Sequence, residues 1–315
     1  MRALTLTDSV RLDLSVPDPI PTADQCLIQI ERAGICNTDL ELVKGYMGFQ
    51  GILGHEFVGT VLEGDKAWIG KRVVGEINIA DCTCDLCQRG IPSQCRHRTT
   101  LGIDRHPGVF ADRVALVTRN LYEVPDNVHT DRAVFTEPLA AAFQILEAVH
   151  ISPRDRVIVV GAGKLGLLCA QVVRMTGADV SVVVRRERPA KVLAGWGIRA
   201  IGMEEAPRKR SQFVIDCTGT AEGFAAGLQL IEPRGTIVLK STYAELPSAD
   251  LTRAVIDEVR IVGSRCGPFA AALRALSSQL IDVEPLIDAR YPLEEGLRAL
   301  QHAAQPGCLK VLLEG

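Results

Sequence analysis

Hydrophobic and polar positions divide this chain into two parts with different periodicities. Over the first ~120 residues, short apolar or alternating runs, such as 26–30 and 71–75, are separated by Gly and Pro, which predicts β-strands. From about residue 133 the chain is rich in Ala and Leu. Residues 136–143 predict a helix that carries Pro138 near its first turn.

Beyond that helix, wholly apolar strands alternate with helical stretches. We predict strands at 156–160, 179–184, 213–216 and 236–239, and a helix that runs from the turn after the first of them through Val173. Strands without polar alternation are covered on both faces, so this order predicts a doubly wound parallel sheet. The expected fold class is α/β, with a β-rich domain followed by a parallel-sheet domain.

Composition limits the functional classes. The chain has 315 residues, of which 47% are hydrophobic and 23% charged, as expected for a globular protein of two domains. Its net charge of −3 gives no reason to expect a nucleic-acid or membrane partner. The apolar runs are too short to span a bilayer, and the start lacks the apolar core of a signal peptide. Because its cysteines suggest no disulfide framework, we expect a reducing, cytoplasmic location.

A glycine-rich turn follows the first apolar strand. Gly161, Gly163 and Gly166, with Lys164 and Leu165 between the last two, form G-x-G-x-x-G between a buried strand and a helix. This context predicts a dinucleotide site, because glycines allow a tight turn and bring a pyrophosphate against N–H groups at the helix N-terminus. The alternative is a merely structural βα turn.

The end of the second apolar strand bears on the choice of coenzyme. An acid at this place would bind the ribose 2′-hydroxyl of NAD, but the strand runs into Arg185 and Arg186, with Glu187 next. Guanidinium groups can bind a 2′-phosphate bidentately, so we predict that NADP is preferred over NAD. The alternative is that the two arginines form a solvated rim and NAD binds.

Four cysteines are concentrated in one short segment: Cys82, Cys84, Cys87 and Cys95. Thiolates this close together can converge on one tetrahedral Zn²⁺, whereas they cannot all form unstrained disulfides. We therefore predict a metal site in this segment. Loop cysteines and a redox pair are the alternatives.

Several motifs occur together and in order along the chain. Residues 34–39 read Gly-Ile-Cys-Asn-Thr-Asp, residues 54–56 read Gly-His-Glu, and after the cysteine cluster residues 137–140 read Glu-Pro-Leu-Ala, ahead of the glycine turn. In this combination the chain resembles the zinc-dependent medium-chain dehydrogenase/reductase family, which includes alcohol, sorbitol and threonine dehydrogenases.

The resemblance implies a particular organisation. A GroES-like β-rich catalytic domain would comprise 1–130 and 271–315, and a Rossmann domain would comprise 131–270. The active site would lie in the cleft between them. Relatives form dimers or tetramers through the edge of the Rossmann sheet, so a homodimer or homotetramer is expected.

The resemblance also implies a set of metal ligands. By match to the family's motifs, Cys36 and His55 would bind a catalytic Zn²⁺. The remaining protein ligand could be Glu56 or Glu137, since relatives use one or the other. The cysteine cluster would bind a second, structural Zn²⁺.

Further residues take roles from the same match. Asp39 would fix the tautomer of the metal-bound histidine. Zinc would lower the pKa of the substrate alcohol, Thr38 would accept its proton, and hydride would move to the nicotinamide. Thr218 and Arg265 each follow a predicted strand and could line the nicotinamide half of the coenzyme site, although loop turns explain them nearly as well.

The cysteine cluster departs from the family's structural-zinc spacing, Cys-x₂-Cys-x₂-Cys-x₇-Cys. Cys84, Cys87 and Cys95 fit the last three places, but the first place by strict count is Asp81, and Cys82 lies one residue late. An Asp oxygen is an acceptable zinc ligand, yet the preference of Zn²⁺ for thiolate favours Cys82. Cys82 is therefore the expected ligand and Asp81 the alternative.

Together these features predict an enzyme. It would be a zinc-dependent oxidoreductase that transfers hydride between NAD(P) and a secondary alcohol or polyol, or the corresponding ketone. One alternative is a zinc-independent enzyme of the same fold, such as the quinone reductases. Another is a nucleotide-sensing protein that has kept the fold without catalysis.

Overall fold

The computed structural model describes residues 1–206, 210–242 and 251–315. Its contacts divide the chain into two compact units. The first unit is Met1–Glu137 together with Ala272–Gly315, and the second is Pro138–Ala271. The domain limits expected near residues 130 and 270 stay a prediction, because a division by contacts does not measure independent folding.

Strands and helices follow one another in the order that the sequence patterns indicate. The strands are β1 (Ala3–Leu6), β2 (Val10–Asp13), β3 (Gln25–Gly34), β4 (Gly51–Ile52), β5 (Glu56–Glu63), β6 (Arg72–Gly75), β7 (Asn78–Ile79), β8 (Thr99–Leu101), β9 (Arg105–His106), β10 (Arg113–Val117), β11 (Leu121–Glu123), β12 (Arg156–Val160), β13 (Asp179–Val183), β14 (Arg199–Ile201), β15 (Ser211–Asp216), β16 (Ile231–Leu239), β17 (Arg260–Gly263), β18 (Ile287–Pro292) and β19 (Lys310–Glu314). The α-helices are α1 (Asn37–Val43), α2 (Asp85–Gln88), α3 (Thr130–Ala133), α4 (Thr136–Ala148), α5 (Lys164–Arg174), α6 (Glu187–Gly195), α7 (Ala221–Leu230), α8 (Thr252–Ile256), α9 (Phe269–Ser277) and α10 (Gly296–Ala303).

The first unit is built around one large, mainly antiparallel sheet. Seven strands take part, in the order β11-β6-β5-β3-β19-β18, with β10 also paired to β3. The apolar side chains of Cys26, Leu27 and Ile28 on β3 are buried, as the run at 26–30 predicts. The C-terminal strand β19 pairs with β3 and sets Leu312 opposite Gly34. The end of the chain is therefore part of the same sheet as β3 and β5.

The second unit contains a six-stranded parallel sheet in the order β14-β13-β12-β15-β16-β17. The apolar residues of β12, from Val157 to Val160, are all buried, which explains the absence of polar alternation. The chain winds outward in one direction from β12 to β14 and in the other from β15 to β17. Ligands of such sheets bind outside the carboxyl ends of the strands, at the point where the order reverses.

The α/β fold class predicted from the hydrophobic pattern is confirmed. The runs at 156–160, 179–184, 213–216 and 236–239 lie in β12, β13, β15 and β16, and the helix predicted at 136–143 lies within α4. Within the three described segments, no helix combines the length and the apolar character that crossing a membrane requires.

Candidate active site

Three potential metal ligands converge in the first unit. Cys36 is the N-cap residue of α1, just beyond the end of β3, and His55 immediately precedes Glu56 at the start of β5. The antiparallel register of β3 and β5 sets Gly34 opposite Glu56. As a result, one ligand atom from each of Cys36, His55 and Glu56 lies within 4.8 Å of the others.

Two glycines leave the space that this cluster needs. A Cβ atom on Gly34 would lie 2.4 Å from Oε2 of Glu56, so any side chain there would displace the carboxylate. Gly54 has φ +95°, in the left-handed region, and a Cβ atom on it would lie 2.3 Å from the ring of Phe110. The glycines of the two motifs are therefore explained by close contacts.

Asp39 connects the cysteine to the histidine. Its side chain is fully buried, and its Oδ2 accepts a hydrogen bond of 2.8 Å from the backbone N–H of Cys36. Its Oδ1 lies 3.1 Å from Nδ1 of His55. A proton held on Nδ1 by this carboxylate leaves Nε2 free to bind a metal. Thr38 is half-buried, with Oγ1 3.8 Å from Sγ of Cys36.

Burial of His55 opposes its charged form. The negative charge of Asp39 and its hydrogen bond nevertheless raise the pKa of His55 well above the ordinary value, and Cys36 adds to that effect. In the absence of a metal ion this pocket therefore favours a cation. A divalent cation that displaced the proton would meet the same field.

A buried lysine that the motifs do not reveal faces this cluster. The side chain of Lys310 on β19 is 1% exposed, and its ammonium forms a short ion pair with Oε2 of Glu56. The same nitrogen lies 3.4 Å from the carbonyl oxygen of Ile35 and 5.6 Å from the ring centroid of Phe135. Burial opposes the ammonium form, but the charges of Glu56 and Cys36 raise the pKa of Lys310.

The two candidate acids, Glu56 and Glu137, are in different positions. Oε1 of Glu56 is buried and has no hydrogen-bond partner among the described residues, while its Oε2 contacts Lys310. Glu137 does not belong to the cluster of three, and burial, with the nearby charge of Glu56, raises its pKa to about 7. The unpartnered oxygen of Glu56, beside a thiol and an imidazole, fits a zinc ion held by three protein ligands with one open position.

A second cluster lies in the cysteine lobe, residues 81–97 of the first unit. Sγ of Cys84 is 3.5 Å from Sγ of Cys87 and 3.8 Å from Sγ of Cys95. Oδ1 of Asp81 lies 3.7 Å from Sγ of Cys87 and 3.2 Å from Sγ of Cys95. Tetrahedral zinc with Zn–S bonds near 2.3 Å sets sulfur atoms about 3.8 Å apart, so these four side chains fit a zinc ion.

Of the two candidates for the fourth member of this cluster, the alternative, Asp81, lies with the three cysteines and Cys82 does not. Cys82 is exposed and has φ +60°, so the chain turns there through the left-handed region. The turn lets Oδ1 of Asp81 accept a hydrogen bond of 2.9 Å from the backbone N–H of Thr83. The carboxylate of Asp81 thereby faces Cys84, Cys87 and Cys95, while Sγ of Cys82 lies 3.9 Å from the carbonyl of Ala80, outside the cluster.

The surroundings of Asp81 and Cys84 favour the anionic forms of these two side chains. Oδ2 of Asp81 accepts from Oγ1 of Thr83 at 2.8 Å and lies 2.5 Å from Nδ1 of His97. Hydrogen bonding to the backbone N–H of Thr83 and to the imidazole of His97 keeps the pKa of Asp81 well below its ordinary value. Backbone N–H groups of Arg96 and Cys87 lower the pKa of Cys84 to about 7. Thiolate and carboxylate are the protonation states that bind zinc.

The glycine turn in the second unit has the geometry of a phosphate-binding loop. Gly161 has φ +102°, and a Cβ atom on Gly166 would lie 1.8 Å from the carbonyl oxygen of Gly161, so the turn requires glycine at both places. A Cβ atom on Gly163 would meet nothing within 4 Å. Gly163 is the N-cap of α5, which begins with Lys164 and Leu165, so open space lies at this helix N-terminus.

The other residues proposed for coenzyme binding lie at carboxyl ends of strands in the same sheet. Arg185 and Arg186 are exposed beyond β13, and Arg186 is the N-cap of α6. Thr218 follows β15, and its Oγ1 donates a hydrogen bond of 2.7 Å to Asp216. Arg265 is exposed beyond β17.

These features define a class of protein. The first unit gathers a thiol, an imidazole and a carboxylate, and the second unit has a doubly wound sheet with a glycine turn. This combination is the architecture of a metal-dependent oxidoreductase that uses a nicotinamide dinucleotide. Comparison with known proteins agrees. The family model described as alcohol dehydrogenase GroES-like domain matches residues 22–126, and the model described as pyridine nucleotide-disulphide oxidoreductase matches 156–195.

Relatives match along nearly the whole chain. A sorbitol dehydrogenase from Halalkalibacterium halodurans is 27% identical, over 94% of this chain and 93% of its own length. A D-arabitol-phosphate dehydrogenase from Enterococcus avium is 28% identical, over 96% and 93%. A crystal structure from Sinorhizobium meliloti, described as a zinc-binding dehydrogenase bound to NADP, has TM-score 0.90 and 27% identity, over 100% of this chain and 99% of its own. These matches support a place in the zinc-dependent medium-chain dehydrogenase/reductase family, and the protein is an NAD(P)-dependent dehydrogenase.

Two contributors to these sites escape the sequence motifs. Lys310 begins the apolar strand β19, and a lysine at the head of a buried strand is the one local signal that it faces inward. His97 lies two residues after the last cysteine, a position with no distinguishing pattern. Their partners, Glu56 and Asp81, are 254 and 16 residues away in the chain.

The geometry of the cysteine lobe predicts which substitution removes its metal. Asp81→Ala should lower the zinc content by about one ion per chain, because it removes one of four ligands. Cys82→Ala, one residue further on, is the matched control and should keep the zinc content of the wild type. Inductively coupled plasma mass spectrometry on both purified variants measures the difference. Loss of zinc from Cys82→Ala, with retention in Asp81→Ala, would show that the lobe binds its metal through Cys82.

Proposed function

We propose that this protein catalyses the reversible oxidation of a polyol or another secondary alcohol to the ketone, with zinc bound by Cys36, His55 and Glu56. The observation that carries the proposal is the convergence of these three side chains, with Oε1 of Glu56 buried and unpartnered among the described residues. The relatives named for sorbitol and D-arabitol phosphate support an open-chain polyol as the substrate class.

The side chains around this cluster have complementary tasks. A zinc ion bound there supplies a Lewis acid that lowers the pKa of an alcohol hydroxyl. Asp39 holds the proton of His55 on Nδ1 and keeps the imidazole in one orientation. Thr38, half-buried and 3.8 Å from Cys36, carries a hydroxyl that can accept a proton from the substrate and donate its own outward. Lys310 balances the charge of Glu56, so the pocket does not hold an uncompensated carboxylate.

We assign the cysteine lobe a structural zinc, bound by Asp81, Cys84, Cys87 and Cys95. Four protein ligands leave no open position for a substrate, which is typical of structural sites. Arg96 ties the lobe together through hydrogen bonds of 2.6 and 2.8 Å to the carboxylate of Asp85. The catalytic site and the structural site therefore differ in their number of protein ligands.

Substitutions in the cluster of three should separate metal binding from folding. Cys36→Ser and His55→Ala should abolish alcohol-dependent reduction of the coenzyme and lower the zinc content by one ion from about two per chain. Asp39→Asn should keep the metal but reduce kcat/KM by about 10–100-fold, because the histidine loses its orienting carboxylate. Cys308→Ser changes a half-buried thiol of the same unit and should behave as wild type.

The same measurements distinguish the competing functions. Full activity of Cys36→Ser without zinc at the cluster would contradict the proposed mechanism. A wild-type zinc content of about one per chain would favour a zinc-independent reductase of this fold. Absence of turnover across a panel of alcohols, polyols and their ketones would favour a protein that senses nucleotides without catalysis.

We further propose that the coenzyme is NADP rather than NAD. Arg185 and Arg186 lie exposed beyond the strand end at which the ribose of a dinucleotide binds. The nearby acid, Glu187, forms an ion pair of 2.8 Å with Lys191, which compensates its negative charge. The crystal structure from Sinorhizobium meliloti, described as bound to NADP, is consistent with this choice.

Replacement of both arginines should reverse the coenzyme preference. Arg185→Ala/Arg186→Ala should lower kcat/KM for NADP by roughly 10–100-fold, because the double variant loses about 1.5–3 kcal/mol of charge-assisted hydrogen bonding to the 2′-phosphate in total, and should leave the value for NAD nearly unchanged. Arg199→Ala, at the opposite end of the sheet, is the control. A wild-type enzyme that already prefers NAD would contradict the proposal.

We propose that the protein is a homodimer or homotetramer assembled through β17. This strand ends the parallel sheet, and in the described part of the chain no strand pairs with its outer edge. Ile261 on β17 is 42% exposed, and Val255 and Ile256 of α8 are 76% and 74% exposed. An unpaired edge beside exposed apolar side chains favours association with a second copy.

The free thiols support a cytoplasmic location, which subcellular fractionation can test.

A charge on this edge should dissociate the oligomer. Ile261→Lys should shift the mass from light scattering toward that of one chain, because lysine on an edge strand opposes pairing. Leu14→Lys, which alters an exposed residue of the first unit, should leave the mass unchanged. A wild-type protein that is monomeric at micromolar concentration would refute the assembly.

A further inference from the structure

A second buried lysine, Lys240, lies at the carboxyl end of a strand in the parallel sheet. It directly follows β16, and its backbone N–H donates a hydrogen bond of 2.9 Å to the carbonyl of Asp216, at the end of β15. The residue is only 8% exposed. A buried ammonium is costly unless oxygen atoms replace its water, so its contacts indicate what it stabilises.

The ammonium of Lys240 contacts backbone oxygens from two other segments. Nζ donates to the carbonyl of Ser264 at 3.0 Å, to its Oγ at 3.1 Å and to the carbonyl of Arg265 at 3.1 Å. It also lies 2.6 Å from the carbonyl oxygen of Ala141 on α4. One side chain therefore connects the end of β16, the loop after β17 and helix α4.

The loop after β17 is closely fitted to its surroundings. The backbone N–H of Ser264 donates to the carbonyl of Leu239 at 3.0 Å, which continues the pairing of β17 with β16. A Cβ atom on Gly267 would lie 2.1 Å from the carbonyl oxygen of Ala140, so the loop lies directly against α4. Charge-assisted hydrogen bonds from Lys240 fix the part of the loop between these two contacts.

This loop is at the place where a dinucleotide's second half binds. In a doubly wound sheet the dinucleotide crosses the point where the strand order reverses, here between β12 and β15. The glycine turn after β12 and the arginines after β13 lie on the adenosine side of that point. The ends of β15, β16 and β17 lie on the other side, which is left for the nicotinamide.

We propose that Lys240 is a positioning residue for the nicotinamide half of the coenzyme. It fixes the backbone of Ser264 and Arg265, against which the nicotinamide ring and its carboxamide bind. The inference rests on the proposed binding of NAD(P) by this unit. Without the ammonium, the carbonyls of Ser264 and Arg265 lose a charged donor and the loop is no longer held in one conformation.

The test compares the whole coenzyme with a fragment that lacks nicotinamide. Lys240→Met keeps the length of the side chain and removes its charge. Isothermal titration with NADPH and with 2′-phospho-ADP-ribose, or with NADH and ADP-ribose if the wild type prefers NAD, should show about tenfold weaker binding of the whole coenzyme and an unchanged Kd for the fragment. Arg156→Met removes a cation at the amino end of β12, at the opposite end of the sheet, and should leave both constants at the wild-type value.

Each outcome of these titrations either supports or refutes the positioning role of Lys240. Equal losses for NADPH and the fragment in Lys240→Met, or no loss for either, would overturn the inference. If Lys240→Met melts well below the wild type, Ser264→Ala serves as the second variant, because it removes one acceptor of the ammonium. A selective loss of NADPH affinity in Ser264→Ala supports the inference. An equal loss of affinity for NADPH and for the fragment refutes it. A wild-type protein that binds neither ligand would instead refute the coenzyme role of the unit.

Discussion

The buried ion pair between Lys310 and Glu56 is the interaction on which the catalytic unit depends. Both side chains are 1% exposed, so neither charge is screened by water. Removing one member of such a pair typically costs about 3–5 kcal/mol, because the other charge stays buried without compensation. The pair also joins the C-terminal strand β19 to β5, across the central strand β3. The addition of β19 to the sheet therefore also supplies the positive charge that balances Glu56 in the metal pocket.

The register of β3 with its two neighbouring strands determines which side chains meet at the metal pocket. Because β3 pairs with both β5 and β19, Gly34 lies opposite Glu56 on one side and Leu312 on the other. A shift of one residue would turn Glu56 and Lys310 to the other face of the sheet. It would also remove Gly34 from the place where a Cβ atom would collide with the carboxylate. The register of these three strands therefore brings the candidate ligands to one place.

Local patterns predict much of this molecule. The glycine turn and the apolar strands each depend on a few adjacent residues, and both lie where those patterns predict. The roles of Cys36 and His55 come from the family resemblance and stay a prediction, and their side chains lie close together. Ligand chemistry alone favours the thiolate of Cys82, whereas the left-handed turn at Cys82 directs the alternative, Asp81, toward the other three cysteines. The neighbours of Lys310 indicate only that it faces inward, and they do not identify its partner Glu56, which is 254 residues away. The sequence therefore identifies residues that belong to a recognisable motif, and the fold is needed to identify Lys310 and His97, which belong to none.

The two buried lysines illustrate two ways in which a protein can use an ammonium away from water. Lys310 faces a carboxylate, so a change of either partner alters the net charge of the pocket. Lys240 donates to carbonyl and hydroxyl oxygens of Ala141, Ser264 and Arg265, so its removal changes the positions of these backbone segments. The first arrangement controls what the metal pocket can bind. The second controls where a loop lies, and a loop at the carboxyl end of a parallel strand is where such a sheet holds its coenzyme.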